Sequence, residues 1–580
     1  MIDWLTRSWV FRFWEGVFRW VRQATDRLLS LGDTRGLAIK IFMGALAFGL
    51  VLHFQGTLSD YKEASNALRE ARNPEALREI PSFAPLVWQG MGVFFALAAF
   101  LTSLWIRESS SGEVERRGKL IVIALWIAAA AALCSWLPSD IVATQEAISG
   151  KALAGENPSI PAYLGKLFLI TLLILSVPAA AMVYFRLSLM DRYVVHSFLS
   201  PFSLCLFSFM AIWVIADITD NGPAFGGMTA GGILQFYIVQ VPFVILFVMP
   251  IAVLLSGLSS LSKLSKSNEL ISMIGAGRSV FRILIPLFVA GIYASLISLA
   301  FKYEWAPASV GYKEAVMEAA MRKIRAEDTG EEITEDLWAK RGWMHVNEVD
   351  RRTWFVGRIP FRLSDEMADV VIWKLTPEGY PETIWKAERA RWLAEAKPPR
   401  WEMLNVKVYT YDEQHIPRIK SFDLLPIEDW SETPWKVLSS SQNPEYLGIP
   451  GLTMYLNANS DMDEINLAPF RTNWWYVFAE PLSCLALILV AAPFGIVYSR
   501  RASMAGVTGA IIIFAMMYLM RGTFLALGQR GTFNPVLAAW GTNLVVAAIG
   551  VFMLWFRARN REIPKLRDLF RRRKFIQVSN

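Results

Sequence analysis

The sequence predicts a polytopic α-helical membrane protein of about ten spans, with an external antiparallel β-domain between the seventh and eighth. Three observations carry this. The 580 residues are 54% hydrophobic and only 19% charged, with a mean hydropathy of +0.35, where a soluble chain of this length carries more charge. Apolar runs of span length recur along the chain. One interval, 305–470, changes instead to period-2 alternation broken by Pro and Gly, the pattern of antiparallel strands.

The formal net charge of +7 gathers in particular loops and in the tail. It is read as membrane orientation, not nucleic-acid binding. Cys134, Cys205 and Cys484 are far apart in apolar segments and imply no disulfide framework. The histidines His53, His196, His345 and His415 lack metal-ligand spacing. No phosphate loop, HExxH or GxSxG is present. A non-enzymatic chain without cofactor or metal is therefore expected, and any ATP hydrolysis falls to another protein.

In chain order, residues 1–35 mix Trp and Phe with Arg7, Arg12, Arg19, Arg22 and Arg27. They read as an interfacial or cytoplasmic helix. A region 36–190 then holds four apolar runs, about 37–54, 83–106, 119–137 and 163–185. Arg107, Arg116, Arg117 and Lys119, then Arg186 and Arg192, place those loops and the N-terminus in the cytoplasm. Runs at 198–219, 233–261 and 281–303 follow within 191–304. Pro242 and Pro250 predict a kink in the middle one. The loop 220–232 has no Lys or Arg and faces outward. In 305–470, alternation at 342–349, 353–360, 369–376 and 401–413 predicts strands, with no helix long enough for a βαβ crossover. Runs at 474–498, 507–527 and 534–556 make up 471–557. A basic tail, 558–580, ends in the cytoplasm.

The stretch 258–283 separates two spans yet carries charge, serines and two close glycines. Ser267 is expected as N-cap, with Glu269 in the first helical turn. Leu270, Met273 and Ile274 make one apolar stripe. Gly275 and Gly277 can end the helix in a left-handed turn. Lys263, Lys266, Arg278 and Arg282 turn the stretch inward. It is either a solvated loop helix or a docking element for another protein.

Four segments resemble one family. Asp191-Arg192-Tyr193 opens a span, and VPFVILFVMPIAVLLSGLSSLSKLSKSNELISMIGAGRS runs from a span into the inward helix. Trp305-Ala306-Pro307 leaves a span, and LWAKRGWMHV opens the alternating region. In this order and topology they resemble the LptF/LptG permease family, over about two-thirds of the chain. The resemblance implies a bacterial inner-membrane subunit of an ABC exporter that extracts lipopolysaccharide. It also implies pairing with a second homologous permease subunit, or with itself, over a cytoplasmic ABC ATPase dimer. The coupling helix would be 265–278, with Glu269 at the family's glutamate position and Leu270, Met273, Ile274, Gly275, Gly277 and Arg278 around it. The resemblance makes the β-domain jelly-roll-like and periplasmic, handing lipid to a periplasmic bridge protein. Two features depart from the family. The end of the first family-type span reads VIADITDNG, with Asp217 and Asp220 where basic residues are expected, and the four N-terminal spans have no counterpart.

Ionisable groups inside spans usually face a cavity or a partner. Arg521 lies within the fifth family-type span and Arg530 near its end, with Glu480 and Asp217 as possible partners. Arg521 either binds a lipid phosphate or pairs with an acid. In the β-domain Trp343, Trp354, Phe355, Trp373 and Trp401 suit either a core or an acyl-chain groove. Two other functions stay open beside lipopolysaccharide export: export of another envelope lipid, or an ATP-independent scaffold whose β-domain binds an envelope partner.

Overall fold

The computed structural model describes residues 34–70, 84–104, 114–153, 159–228, 230–329, 340–347, 349–359, 366–393, 396, 399–411, 416–439, 443–460, 462–496 and 503–558. The arginine-rich start (1–33), Arg107, Arg500, Arg501 and the basic tail from 559 lie outside these residues. Ten helices among the described residues are long and apolar enough to cross a membrane, in agreement with the expected number. The chain divides into two compact units, one of residues 1–144 and 167–187, the other of residues 145–166 and 188–580.

The first unit holds α1 (Thr34–Glu70), α2 (Ala84–Leu104), most of α3 (Val114–Leu153) and all but the first turns of α4 (Ile160–Arg186). Alanines make its core: Ala47, Ala96 and Ala131 in one layer, Ala99, Ala124 and Ala128 with Met43 in the next. Small residues let span backbones approach where lipid supplies no hydrophobic drive. The Thr57 hydroxyl, on α1, donates to Gln89 Oε1 on α2 at 2.5 Å, which satisfies a polar group that lipid could not.

In the second unit, α5 (Leu189–Asn221), α6 (Ala230–Lys266), the short α7 (Glu269–Gly275) and α8 (Val280–Ala300) follow one another. Ser188 caps α5 by accepting from the Asp191 N–H, and Ser279 caps α8 by accepting from the Arg282 N–H, each at 3.3 Å. α6 contains Pro242 and Pro250 and α8 contains Pro286. A π-turn, Phe301–Trp305, joins α8 to α9 (Ala306–Thr329). After the sheet come α10 (Pro434–Ser439), α11 (Ile449–Ala458) and α12 (Glu464–Ala479). A 3-10 turn at Glu480–Leu482 then leads to α13 (Ser483–Gly495), α14 (Ser503–Gln529) and α15 (Pro535–Ala558). α13 is the centre of this unit. Its Leu487, Ile488, Val490 and Ala491 are buried, with α6, α8, α14 and α15 around them.

Six strands form one antiparallel sheet in sequential order: β1 (Lys340–Asn347), β2 (Arg352–Ile359), β3 (Met367–Leu375), β4 (Pro381–Leu393), β5 (Arg400–Tyr411) and β6 (Pro417–Ile427). The expected antiparallel β-domain is therefore present. The interval 305–470 is not sheet throughout, because it opens on α9 and closes on α10 and α11. Trp354 and Trp401 are fully buried on the face that α10 covers, with ring centroids 5.0 Å apart. Phe355 and Trp373 pair on the other face, as the period-2 pleat requires. Among the described residues β6 pairs with β5 alone, and it is exposed along most of its length, with Ile419, Phe422 and Leu424 among its exposed residues.

Candidate functional site

Two places in the second unit combine charge with irregular backbone: the connection between α6 and α8, and the break between α12 and α13.

α6 stays helical through Lys266, past the end of its apolar run. Ser267, expected as the cap of the next helix, instead donates its hydroxyl to the Lys263 carbonyl at 2.9 Å and finishes α6. The reason is geometric. Only Ser267 and Asn268 separate α6 from α7, so one residue must reverse the chain in the left-handed region. Asn268 does so, with φ 59°, a conformation Asn tolerates better than most. Leu270 and Met273 are buried, and Ile274 packs against them, in a cluster with Leu261, Leu264, Val280 and Ile283. The apolar stripe thus faces the chain's own bundle. The outward face is Ile271, Ser272, Gly275 and Ala276, with Ile271 47% exposed. Gly277, φ 88°, closes the helix: its N–H donates to the Ile274 carbonyl and the Arg278 N–H to the Met273 carbonyl, the paired bonds of a Schellman cap.

Both ends of α7 reach back to the first turn of α5. Arg278 Nη1 donates to Asp191 Oδ1 at 2.6 Å and Nη2 to Ser188 Oγ at 3.0 Å. The Ser188 hydroxyl donates to Asp191 Oδ2 at 2.7 Å. At the other end the Tyr193 hydroxyl bonds the Glu269 side chain, while Glu269 Oε2 is buried without a hydrogen-bond partner. Asp191-Arg192-Tyr193 and the glycine-arginine turn, far apart in sequence, therefore form one joint. The sequence offered Arg278 as an orienting charge and, by resemblance, as a coupling-helix residue, not as the partner of Asp191.

The second place is a charge cluster between spans. Arg521, on α14, forms an ion pair with Glu480 Oε1, and Lys302 Nζ lies 2.8 Å from Glu480 Oε2. Arg521 also stacks over the rings of Tyr476 and Tyr518, 4.9 and 5.3 Å from their centroids. Two cations share one carboxylate, and Glu445, exposed, acts on Arg521 from further away. Such a group is costly in a span unless paired, and a guanidinium beside a shared carboxylate can exchange one partner for a phosphate oxygen. Lys302 was not foreseen. It closes an apolar run and so reads as an interfacial end, yet the π-turn keeps it inside the bundle. Both helices are irregular at the cluster: a π-turn carries Lys302, and the 3-10 turn that contains Pro481 carries Glu480.

Asp217 is not a partner of Arg521. It is buried at the far end of α5, where it pairs with Lys313 of α9 and accepts from Tyr237 and Asn221 at 3.2 and 3.1 Å. Lys313 also lies 5.1 Å from the Trp213 ring centroid. The acidic end of this span thus obtains its counter-charge from α9. Arg530 is exposed at the end of α14, nine residues beyond Arg521 and about 13 Å further along the axis, so it does not join the cluster. In the sheet, Arg352 grips the buried Glu432 with Nε and Nη2 at 2.8 and 2.9 Å. Burial beside Lys436 pulls His345 down to about 4 against the opposing pull of Glu432.

The family model described as lipopolysaccharide export system permease LptF/LptG matches residues 192–556, well over half of the chain. The chain is also similar to the lipopolysaccharide export system permease protein LptG of Haemophilus influenzae. The two are 24% identical over 381 residues, 64% of this chain and 99% of the relative. Residues before 192 lie outside the family match.

Proposed function

We propose that this chain, which belongs to the LptF/LptG family of lipopolysaccharide export permeases, extracts lipopolysaccharide from the inner membrane under the drive of a separate ATPase. It is an inner-membrane, multi-pass transport subunit. The finer reading rests on one observation: α7 is joined at both ends to the first turn of α5 through Glu269–Tyr193 and Arg278–Asp191. An ATPase that pushes on the exposed face of α7 would move the start of α5 with it. In this reading Leu270, Met273 and Ile274 hold α7 to its own bundle, Gly275 and Gly277 shape the outward face, and Ile271 meets the ATPase. Glu269, half-buried with one bare oxygen, is the hinge between the two.

The other roles follow from this. A second permease subunit, homologous or identical, completes the lipid cavity. Arg521 exchanges Glu480 for a lipid phosphate during passage, and Lys302 keeps Glu480 neutralised when it does. The β-domain faces the periplasm, and the open edge at β6 adds to the sheet of a bridge protein. A different envelope lipid is favoured by one observation alone: the end of α5 presents Asp217 and Asp220, and the nearby Lys313 is spent on Asp217.

Co-purification tests the reading. The wild-type chain should carry an ABC ATPase and release lipopolysaccharide from proteoliposomes on ATP addition, and Ile271→Glu and Glu269→Lys should lose the ATPase while the chain still folds. A wild-type chain that purifies intact without any ATPase would sink the ABC reading in favour of a scaffold.

A further inference from the structure

The π-turn at 301–305 is gripped from three sides. Lys302 goes to Glu480 in the charge cluster. The buried Tyr303 hydroxyl donates to the Ala162 carbonyl at 2.7 Å, in the first turn of α4. Glu304 pairs with Lys166 at 3.2 Å, one turn further along α4. Gly165 lies directly under the Tyr303 hydroxyl, so that any side chain there would collide with it. On the remaining side Gly448, which precedes α11, leaves room for the turn's backbone: a Cβ there would come within 2.6 Å of the Tyr303 carbonyl oxygen. A π-turn gives up the regular i→i−4 bonds, and it persists where surrounding contacts hold it. Residues 160–166 supply two of those contacts, and they lie outside the family match at 192–556.

We propose that the first turns of α4 are a positioning element for the Lys302–Glu480–Arg521 cluster, acting through the π-turn from which Lys302 projects. Tyr303 and Glu304 fix the turn, and the turn fixes how far Lys302 reaches toward Glu480. How tightly Glu480 is neutralised then sets how readily Arg521 is released. Ala162, Gly165 and Lys166 are positioning residues in this scheme, acting through Tyr303 and Glu304. The consequence for transport rests on the proposed function; the geometric coupling does not.

The test is deuterium exchange on the full chain in detergent micelles. Tyr303→Phe removes one buried hydrogen bond without changing shape, and should speed exchange in peptides covering 301–305 and 478–484 by about fivefold. Gly165→Leu should do so more strongly. The strands at 340–427 should not change in either variant. In a Glu480→Gln background, where the cluster is already open, Tyr303→Phe should add nothing at 478–484, because coupled sites are not additive. Faster exchange confined to 159–167, faster exchange spread over every span, or an additive effect in the Glu480→Gln background would each overturn the proposal. Should Gly165→Leu not fold, Tyr303→Phe decides alone. A second arm reads lipid-stimulated ATP turnover in the reconstituted transporter, where both variants should lower it. A wild type that shows no such turnover counts against the proposed function and leaves the exchange result standing.

Discussion

Two spans of the second unit are held in opposite ways. In the span 464–495, 67% of the most apolar stretch is buried, and Leu487, Val490 and Ala491 have no solvent exposure at all. In α5 the corresponding share is 6%, and its buried residues are Val194, Phe198 and two aspartates, one near each end. Lipid does not reward burial of an apolar helix face, so a span packed along one side only gains from polar contacts that fix its ends. α5 is located by Asp191–Arg278 at its start and Asp217–Lys313 at its end. The first span is scaffold. The second lies along α6 through Phe202, Leu206, Phe209 and Trp213, with Ser197 bonded to Ser260 at 2.6 Å, and leaves the rest of its surface exposed.

The sharpest way to break this contrast is truncation. Leu487→Ala should lower unfolding free energy in mild detergent by about 3 kcal/mol through cavity formation. Phe207→Ala, at a side chain 69% exposed near the middle of α5, should stay within ~0.5 kcal/mol. Equal costs would erase the distinction. Next in size, Asp191→Asn should cost about 2 kcal/mol by leaving Arg278 with a weaker acceptor. It should lower lipid export further than that loss of stability explains, and Asp191→Arg with Arg278→Asp should recover part of both.

The sheet provides a pH control that α5 should ignore. His345 is 3% exposed and held neutral, with its folded pKa lowered to about 4 from 6.5. A lowered folded pKa gives stability that is complete above about 6.5 and is lost as pH falls toward 4. The loss should reach about 2 kcal/mol by pH 5. His345→Gln should flatten that slope in a urea titration followed at the sheet tryptophans, and an unchanged slope would remove His345 from the account.

The spans were legible because apolar runs of span length have few other uses, and charged loops separate them cleanly. Four strands were legible from alternation. β4 was not, because PETIWKAERARWL is rich in helix formers and takes its strand from pairing with β3 and β5 on either side. β6 was not, because a strand exposed on both faces has no reason to alternate. α9 was overlooked where a soluble domain was expected to start, although AVMEAAMRKIRAED is a strong helix former. The site residues divide in the same way. Arg521 and Glu480 were visible as charges out of place in apolar runs. Lys302 and the Arg278–Asp191 joint were not, since a π-turn and a contact across 87 positions leave no mark in local spacing. Ser267 failed as a cap because the helix before it carried on further than its apolar residues did.

The exposed β6 strand has a consequence for anyone who handles the protein. An outer edge that no strand pairs among the described residues, flanked by the exposed Ile419, Phe422 and Leu424, is a template for any other extended chain. Its Arg418 and Lys420 give some protection, because charged edges repel their own copies. Concentrated without a cap on that edge, the purified chain is expected to stick sheet to sheet long before its spans unfold. Shelf life and thermal stability should then respond to different mutations.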